Sequence, residues 1–213
     1  MIKSKLLSEF LGTATLLIAV VGSSFMAADL TTDKALALLI NAAVTAAVLG
    51  IIIKTCTPLS GAHFNPLVTF SLAMRGLLRK SEALSYVTVQ VLGAFSGVIV
   101  ANAMFAEPML TTSSNTRTGT GQWIGEIVAT LGLIYLALTA DAKSAWKIIP
   151  LWIFAAYFFT SSTSFANPAV TVARIFTSAP AGISSSSVLA FIAAQTFASL
   201  LVVLALRRRV SYE

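Results

Sequence analysis

Asn65-Pro66-Leu67-Val68-Thr69 and Asn167-Pro168-Ala169-Val170-Thr171 each open an apolar stretch too short to cross a bilayer, and the two stretches occupy matching places in the two halves of the chain. Proline suits the first turn of a helix, where its missing N–H has no partner to lose, and the preceding Asn suits the cap. Each triplet therefore predicts a half-helix that enters the membrane and stops midway. Two such caps facing each other place backbone N–H groups and two amide side chains at one point in the lipid, a point suited to passing a small polar solute.

Working outward, the composition agrees with a membrane protein. With 57% hydrophobic residues, 10% charged and a mean hydropathy of +0.88, a soluble domain would expose far too much apolar surface. Apolar segments run from about Leu6 to Ala28, Ala35 to Ile53, Ala83 to Ala106, Trp123 to Ala140, Ile148 to Ser162 and Val188 to Leu206. Most approach the ~20 residues of a spanning helix, and the fifth is short. The first lacks a small-residue cleavage site and carries Glu9 early, so it reads as a retained span. The expected fold is an all-α membrane protein with six transmembrane helices and two re-entrant half-helices.

The order of motifs repeats. Glu9-x-x-x-Thr13 returns as Glu126-x-x-x-Thr130, the Asn-Pro triplet returns, and Gln90 returns as Gln195. Three spans per half is an odd number, so the second copy runs inverted and the half-helices enter from opposite faces. The expected units are a first repeat over residues 1–106, an external loop over 107–122 rich in Thr, Ser, Gly and Asn, and an inverted second repeat over 123–213.

Charge sets the orientation. With a cytoplasmic N-terminus, Lys3, Lys5, Lys54, Arg75, Arg79, Lys80, Lys143, Lys147, Arg207, Arg208 and Arg209 fall inside, against Lys34, Arg117 and Arg174 outside. The net charge of +6 is then explained by topology and anionic headgroups, and no aromatic-basic interleaving suggests nucleic acid. The expected site is a bacterial plasma membrane, with both termini cytoplasmic. One cysteine, Cys56, excludes an intrachain disulfide, and one histidine, His63, builds no metal site without companions. No metal or cofactor is expected. No nucleophile-base pair converges on the proposed midpoint, so the chain does not read as an enzyme.

The paired triplets, Ser60-Gly61-Ala62-His63-Phe64 before the first, Glu9-Phe10-Leu11-Gly12-Thr13 and Gln90 together resemble the aquaporin and aquaglyceroporin channels. The resemblance implies a homotetramer with one pore per subunit, passing small neutral solutes. It places Asn65, Asn167, Val68 and Val170 at the pore centre, His63 on the cytoplasmic approach, and Glu9 and Glu126 as acceptors that support the re-entrant loops. Each helix N-terminus carries about half a positive charge, so a cation ~4 Å away at an effective dielectric near 20 meets repulsion of order 4 kcal/mol.

Departures from the family pattern bear on the substrate. Val170 stands where family members usually carry the filter Arg, and the other filter positions fall on Thr45, Ala155 and Ser164. Four small side chains predict a wide, weakly polar constriction. Arg174 and Asn41 lie one turn further out on their helices and form a possible displaced outer filter. Leu67, Thr45 and the missing Arg resemble bacterial aquaglyceroporins associated with arsenic resistance, which implies glycerol-like polyols, arsenous acid or methylated arsenicals as solutes. A passive channel, a secondary transporter and a closed structural protein remain alternatives at this level, separated by whether flux exists, saturates or follows a proton gradient.

Overall fold

A computed structural model describes residues 2–207. The helices are α1 (Ile2–Leu30), α2 (Lys34–Ser60), α3 (Pro66–Met74), α4 (Lys80–Met104), α5 (Thr120–Thr139), α6 (Ala145–Phe159), α7 (Pro168–Ala173) and α8 (Ser185–Arg207), with a 3-10 turn over Arg174–Phe176 continuing α7. Five of these helices are long and apolar enough to cross a membrane, while α6 has 15 residues. At ~1.5 Å per residue that is about 22 Å, short of a ~30 Å hydrocarbon core, and the segment over 160–166 then turns back inward, ending at Ala166 beside the Asn65 amide. Arg208 and Arg209, assigned above to the cytoplasmic end, lie outside the described residues.

The polar groups are inside and the apolar ones outside. Glu9, Gln90, Glu126 and Gln195 are fully buried, whereas Leu84 and Leu189 are 70% and 80% exposed. That inversion of a soluble core marks a multi-pass membrane protein, whose outer surface meets lipid. Around the interior, α1 packs on α4 and α2, α5 packs on α8, and α2 packs on α6 across the two halves. The half-helices α3 and α7 fill the centre, each against helices of both halves.

Close crossings need small residues. A side chain at Gly93 would strike the carbonyl of Phe10, and one at Gly97 would strike the carbonyl of Ala14 and come within 2.8 Å of the Leu17 Cβ. Backbone cannot step aside as a flexible side chain does, so these two glycines set the α1–α4 separation. Gly97→Leu is expected to lower stability by about 3 kcal/mol, the upper part of the overpacking range. Thermal unfolding of the detergent-purified variant measures it, and an unchanged transition would reject the tight crossing.

The segment between halves does more than connect. It begins after Met104 and ends where α5 starts at Thr120, three residues before the expected start of the fourth span. Its chain folds over the turn that follows α7: the Ser113 N–H donates to the Ile175 carbonyl at 2.7 Å, and the Ser184 N–H to the Asn115 carbonyl at 2.8 Å. Asn102, buried at the end of α4, donates to the Phe176 carbonyl at 2.8 Å and accepts from the Thr177 hydroxyl at 2.7 Å. The loop is thereby fixed over one end of the bundle.

Candidate functional site

Both Asn side chains perform two tasks at once. Asn65 Oδ1 accepts from the Leu67 N–H at 2.9 Å, and Asn167 Oδ1 accepts from the N–H groups of Ala169 and Val170 at 3.0 and 3.3 Å. These are N-caps with Pro66 and Pro168 in the first turn, as the triplets require. The amide nitrogens then reach across: Asn65 Nδ2 donates to the Ala166 carbonyl and Asn167 Nδ2 to the Phe64 carbonyl, both at 2.8 Å. The two tips abut and are tied reciprocally. Each amide keeps one N–H beyond those bonds.

Two carboxylates hold the segments that lead into the tips. Glu9 accepts from the Ser60 hydroxyl at 2.6 Å, the His63 N–H at 3.0 Å, the Phe64 N–H at 2.7 Å and Gln90 Nε2 at 2.7 Å. Glu126 accepts from the N–H groups of Phe165 and Ala166 at 2.8 and 2.9 Å, and from Gln195 Nε2 at 2.6 Å. The glutamines bridge onward to Thr69 and Thr171, at 3.0 and 2.9 Å. A buried acceptor with this many donors is a structural clamp.

The clamped backbone is strained in the same way twice. Ala62 and Phe64 have φ of 54° and 48°, and Ser164 and Ala166 have φ of 52° and 47°. Left-handed conformations in residues other than glycine cost about 1–3 kcal/mol each and persist only where their surroundings dictate them. The return is directional. With their N–H groups turned to the carboxylates, the preceding carbonyls of Ala62, His63, Ser164 and Phe165 point the opposite way across planar peptides. On that side the same residues border a cavity.

This cavity runs past the paired Asn residues. Its wall includes Leu16, Val20, Thr45, Leu49 and Ile53 from α1 and α2, and Leu133, Ala137, Ile149, Ile153 and Tyr157 from α5 and α6. Asn65, Val68, Asn167, Val170, His63, Ser164, Phe165 and Arg174 complete it. The space is about 80 Å³, where a single water needs ~10–15 Å³ by the same measure, so it holds several. Leu67 is elsewhere: it packs with Val68, Ile134, Val202 and Leu206 in a separate apolar cluster. His63 Nδ1 lies 3.0 Å from Thr69 Oγ1, and its ring rests on Tyr86.

Two expected filter residues are corrected. Ala155 is exposed on the outer face of α6. The cavity receives Ile153 and Tyr157, each two residues and therefore about 200° around the helix from Ala155. Tyr157 replaces the expected small side chain with a large one, and its hydroxyl donates to Thr45 Oγ1 at 3.3 Å across the lane. The wall there is bulkier and more polar than four small residues would give. Asn41 does not border the cavity, because its amide donates to the Val20 carbonyl and the Ser23 hydroxyl, both at 2.8 Å.

Arg174 is in the wall and 2% exposed. Its guanidinium lies 3.5 Å from the centre of the Phe165 ring, and Nε donates to the Ala181 carbonyl. A second guanidinium, from Arg117 in the loop, lies 5.0 Å from the same ring and donates to the carbonyls of Gly182 and Pro180. Arg117 carried no functional role in the sequence reading. In the sequence it counted only as one of three outside charges.

An inverted pair of three-helix units, each sending a half-helix to a shared central cavity, defines a membrane channel architecture. A sequence profile of the major intrinsic protein family matches residues 1–165. The chain is 44% identical over 191 residues to aquaglyceroporin AqpS of Rhizobium meliloti (strain 1021), covering 88% of this chain and 82% of that one. It is 32% identical over 157 residues to aquaporin TIP2-1 of Arabidopsis thaliana, covering 69% of this chain and 62% of that one. An aquaglyceroporin structure from Plasmodium falciparum superposes with a TM-score of 0.75 at 19% identity, over 96% of this chain and 95% of that one, which speaks for the fold alone. The chain belongs to the major intrinsic protein family and is a passive channel for small neutral solutes.

Proposed function

We propose that the channel passes glycerol-like polyols as well as water, with Thr45, Tyr157, Ser164, Val170 and Arg174 as its selectivity filter. The cavity bordered jointly by both inverted halves carries this reading. A passing hydroxyl meets the free amide N–H groups of Asn65 and Asn167 and the carbonyls turned away from Glu9 and Glu126. Those partners replace part of its lost hydration, and the Leu, Ile and Val residues between them do not retain it. Undissociated arsenous acid, a small neutral triol, suits the same lane. The proposed setting is a bacterial plasma membrane, with cytoplasmic termini, a homotetrameric assembly and lipid around it.

Stopped-flow light scattering on reconstituted protein, with water, glycerol, urea and arsenous acid, tests the proposal. Glycerol entry no faster than into empty liposomes would overturn it. Flux that follows a proton gradient would favour a transporter. Val170→Arg narrows the lane with a long side chain and is expected to slow glycerol about tenfold, ~1.4 kcal/mol of barrier, and water by less. Equal slowing of every solute would remove Val170 from the filter.

A further inference from the structure

We infer that the outer end of this cavity is also a binding site for a small monocarboxylate anion, which occupies the lane and blocks it. The inference rests on the reading that this end lies on the solute path. Its basis is a surplus of donors. Among the described residues the ion pairs are Lys5–Glu82 and Arg79–Glu82, so Arg174 and Arg117 meet no carboxylate. A guanidinium as buried as Arg174 is costly without a counter-charge, and here a second guanidinium shares its aromatic ring.

The neighbouring hydroxyls add to the surplus. Tyr157 gives its hydrogen to Thr45, which leaves the Thr45 hydrogen free of any protein acceptor. Ser164 is 5% exposed and its Oγ has no partner. Of the Arg174 nitrogens only Nε has a protein acceptor, the Ala181 carbonyl. The outer cavity thus presents the forked end of a guanidinium and the Thr45 hydroxyl, with the unpartnered Ser164 hydroxyl buried in the same wall, and no carboxylate competes for them. A fork of parallel N–H groups matches the two oxygens of a carboxylate. Chloride offers one centre, and the second charge of a dicarboxylate would meet no further guanidinium fork.

Such an anion stops there. Directly inward of the site the wall is Leu16, Val20, Leu49 and Val170, which give a charged group nothing to replace its water before the Asn65 and Asn167 amides are reached. Held at the mouth of a single lane, it excludes the solute behind it.

The test is water permeability of proteoliposomes at pH 8, with equal formate or chloride on both faces. Low-millimolar formate, the affinity that two charge-assisted hydrogen bonds supply, is expected to halve water flux roughly, with chloride inactive. Arg174→Gln is expected to abolish the inhibition and Ser164→Ala to weaken it, whereas Lys34→Gln, an exposed lysine at the same end, leaves it intact. Inhibition absent in the native channel, or surviving in Arg174→Gln, would overturn the site. Calorimetric titration of detergent-purified protein with formate reads the site without flux. Water entry no faster than into empty liposomes therefore condemns the channel reading, and absent heat condemns the anion site.

Discussion

Arg174→Ala is expected to raise proton and monovalent-cation leak by about two orders of magnitude. The guanidinium borders the cavity, is 2% exposed and has no carboxylate partner among the described residues, so its field is not cancelled locally. A cation ~6 Å from it at an effective dielectric near 20 meets about 2.8 kcal/mol of repulsion, which is about a hundredfold in population. The helix tips contribute the rest. The α7 tip is modest, because that helix has six residues before it tightens into a 3-10 turn. A pH-sensitive dye inside proteoliposomes under a potassium gradient measures the leak, and Arg174→Lys should retain most of the exclusion. Unchanged leak in Arg174→Ala would assign exclusion to the half-helices alone.

Glu9→Ala is expected to abolish folding. The substitution strands the His63 and Phe64 N–H groups in a dry interior and takes the carboxylate acceptor from the Ser60 hydroxyl and from one N–H of the Gln90 amide, which keep only the longer contacts to Ser8 and Thr69. At ~1–3 kcal/mol for each stranded donor, the loss approaches or exceeds the ~5–15 kcal/mol of a typical folded protein. The left-handed backbone at Ala62 and Phe64 would then relax, carrying the carbonyls and Asn65 out of register. Glu9→Gln keeps the shape but turns an acceptor into a donor, so a weaker defect of about 3 kcal/mol is expected. Yield of folded protein in detergent and its thermal transition measure both. A Glu9→Ala protein melting within a few degrees of the native one would refute the clamp.

The centre of the channel was legible because its chemistry is local. An Asn before a Pro announces a cap wherever it stands, and a glutamate inside an apolar helix demands donors. The second filter wall was not legible. Locating Ala155 by counting back from Asn167 presumes a fixed spacer, but α6 ends at Phe159 and an irregular segment follows before the triplet. An error of two residues turns a helix to its opposite face, so Tyr157 escaped notice. Asn41 had the right height on α2 and the wrong rotation, since the α1 backbone and Ser23 claimed its amide. The joining of Arg117 and Arg174 on Phe165 depends on a loop folding back onto the other half, which no periodicity announces.

The reciprocal amide ties have a consequence for biogenesis. Asn65 finds its acceptor at Ala166, 101 positions further along the chain. A ribosome delivering this polypeptide to the membrane must therefore release both the first re-entrant rod and its partner loop before either is locked. Synthesis up to the fifth span leaves the first rod provisionally seated. Final registration of the early half therefore waits for the segment that carries Ala166.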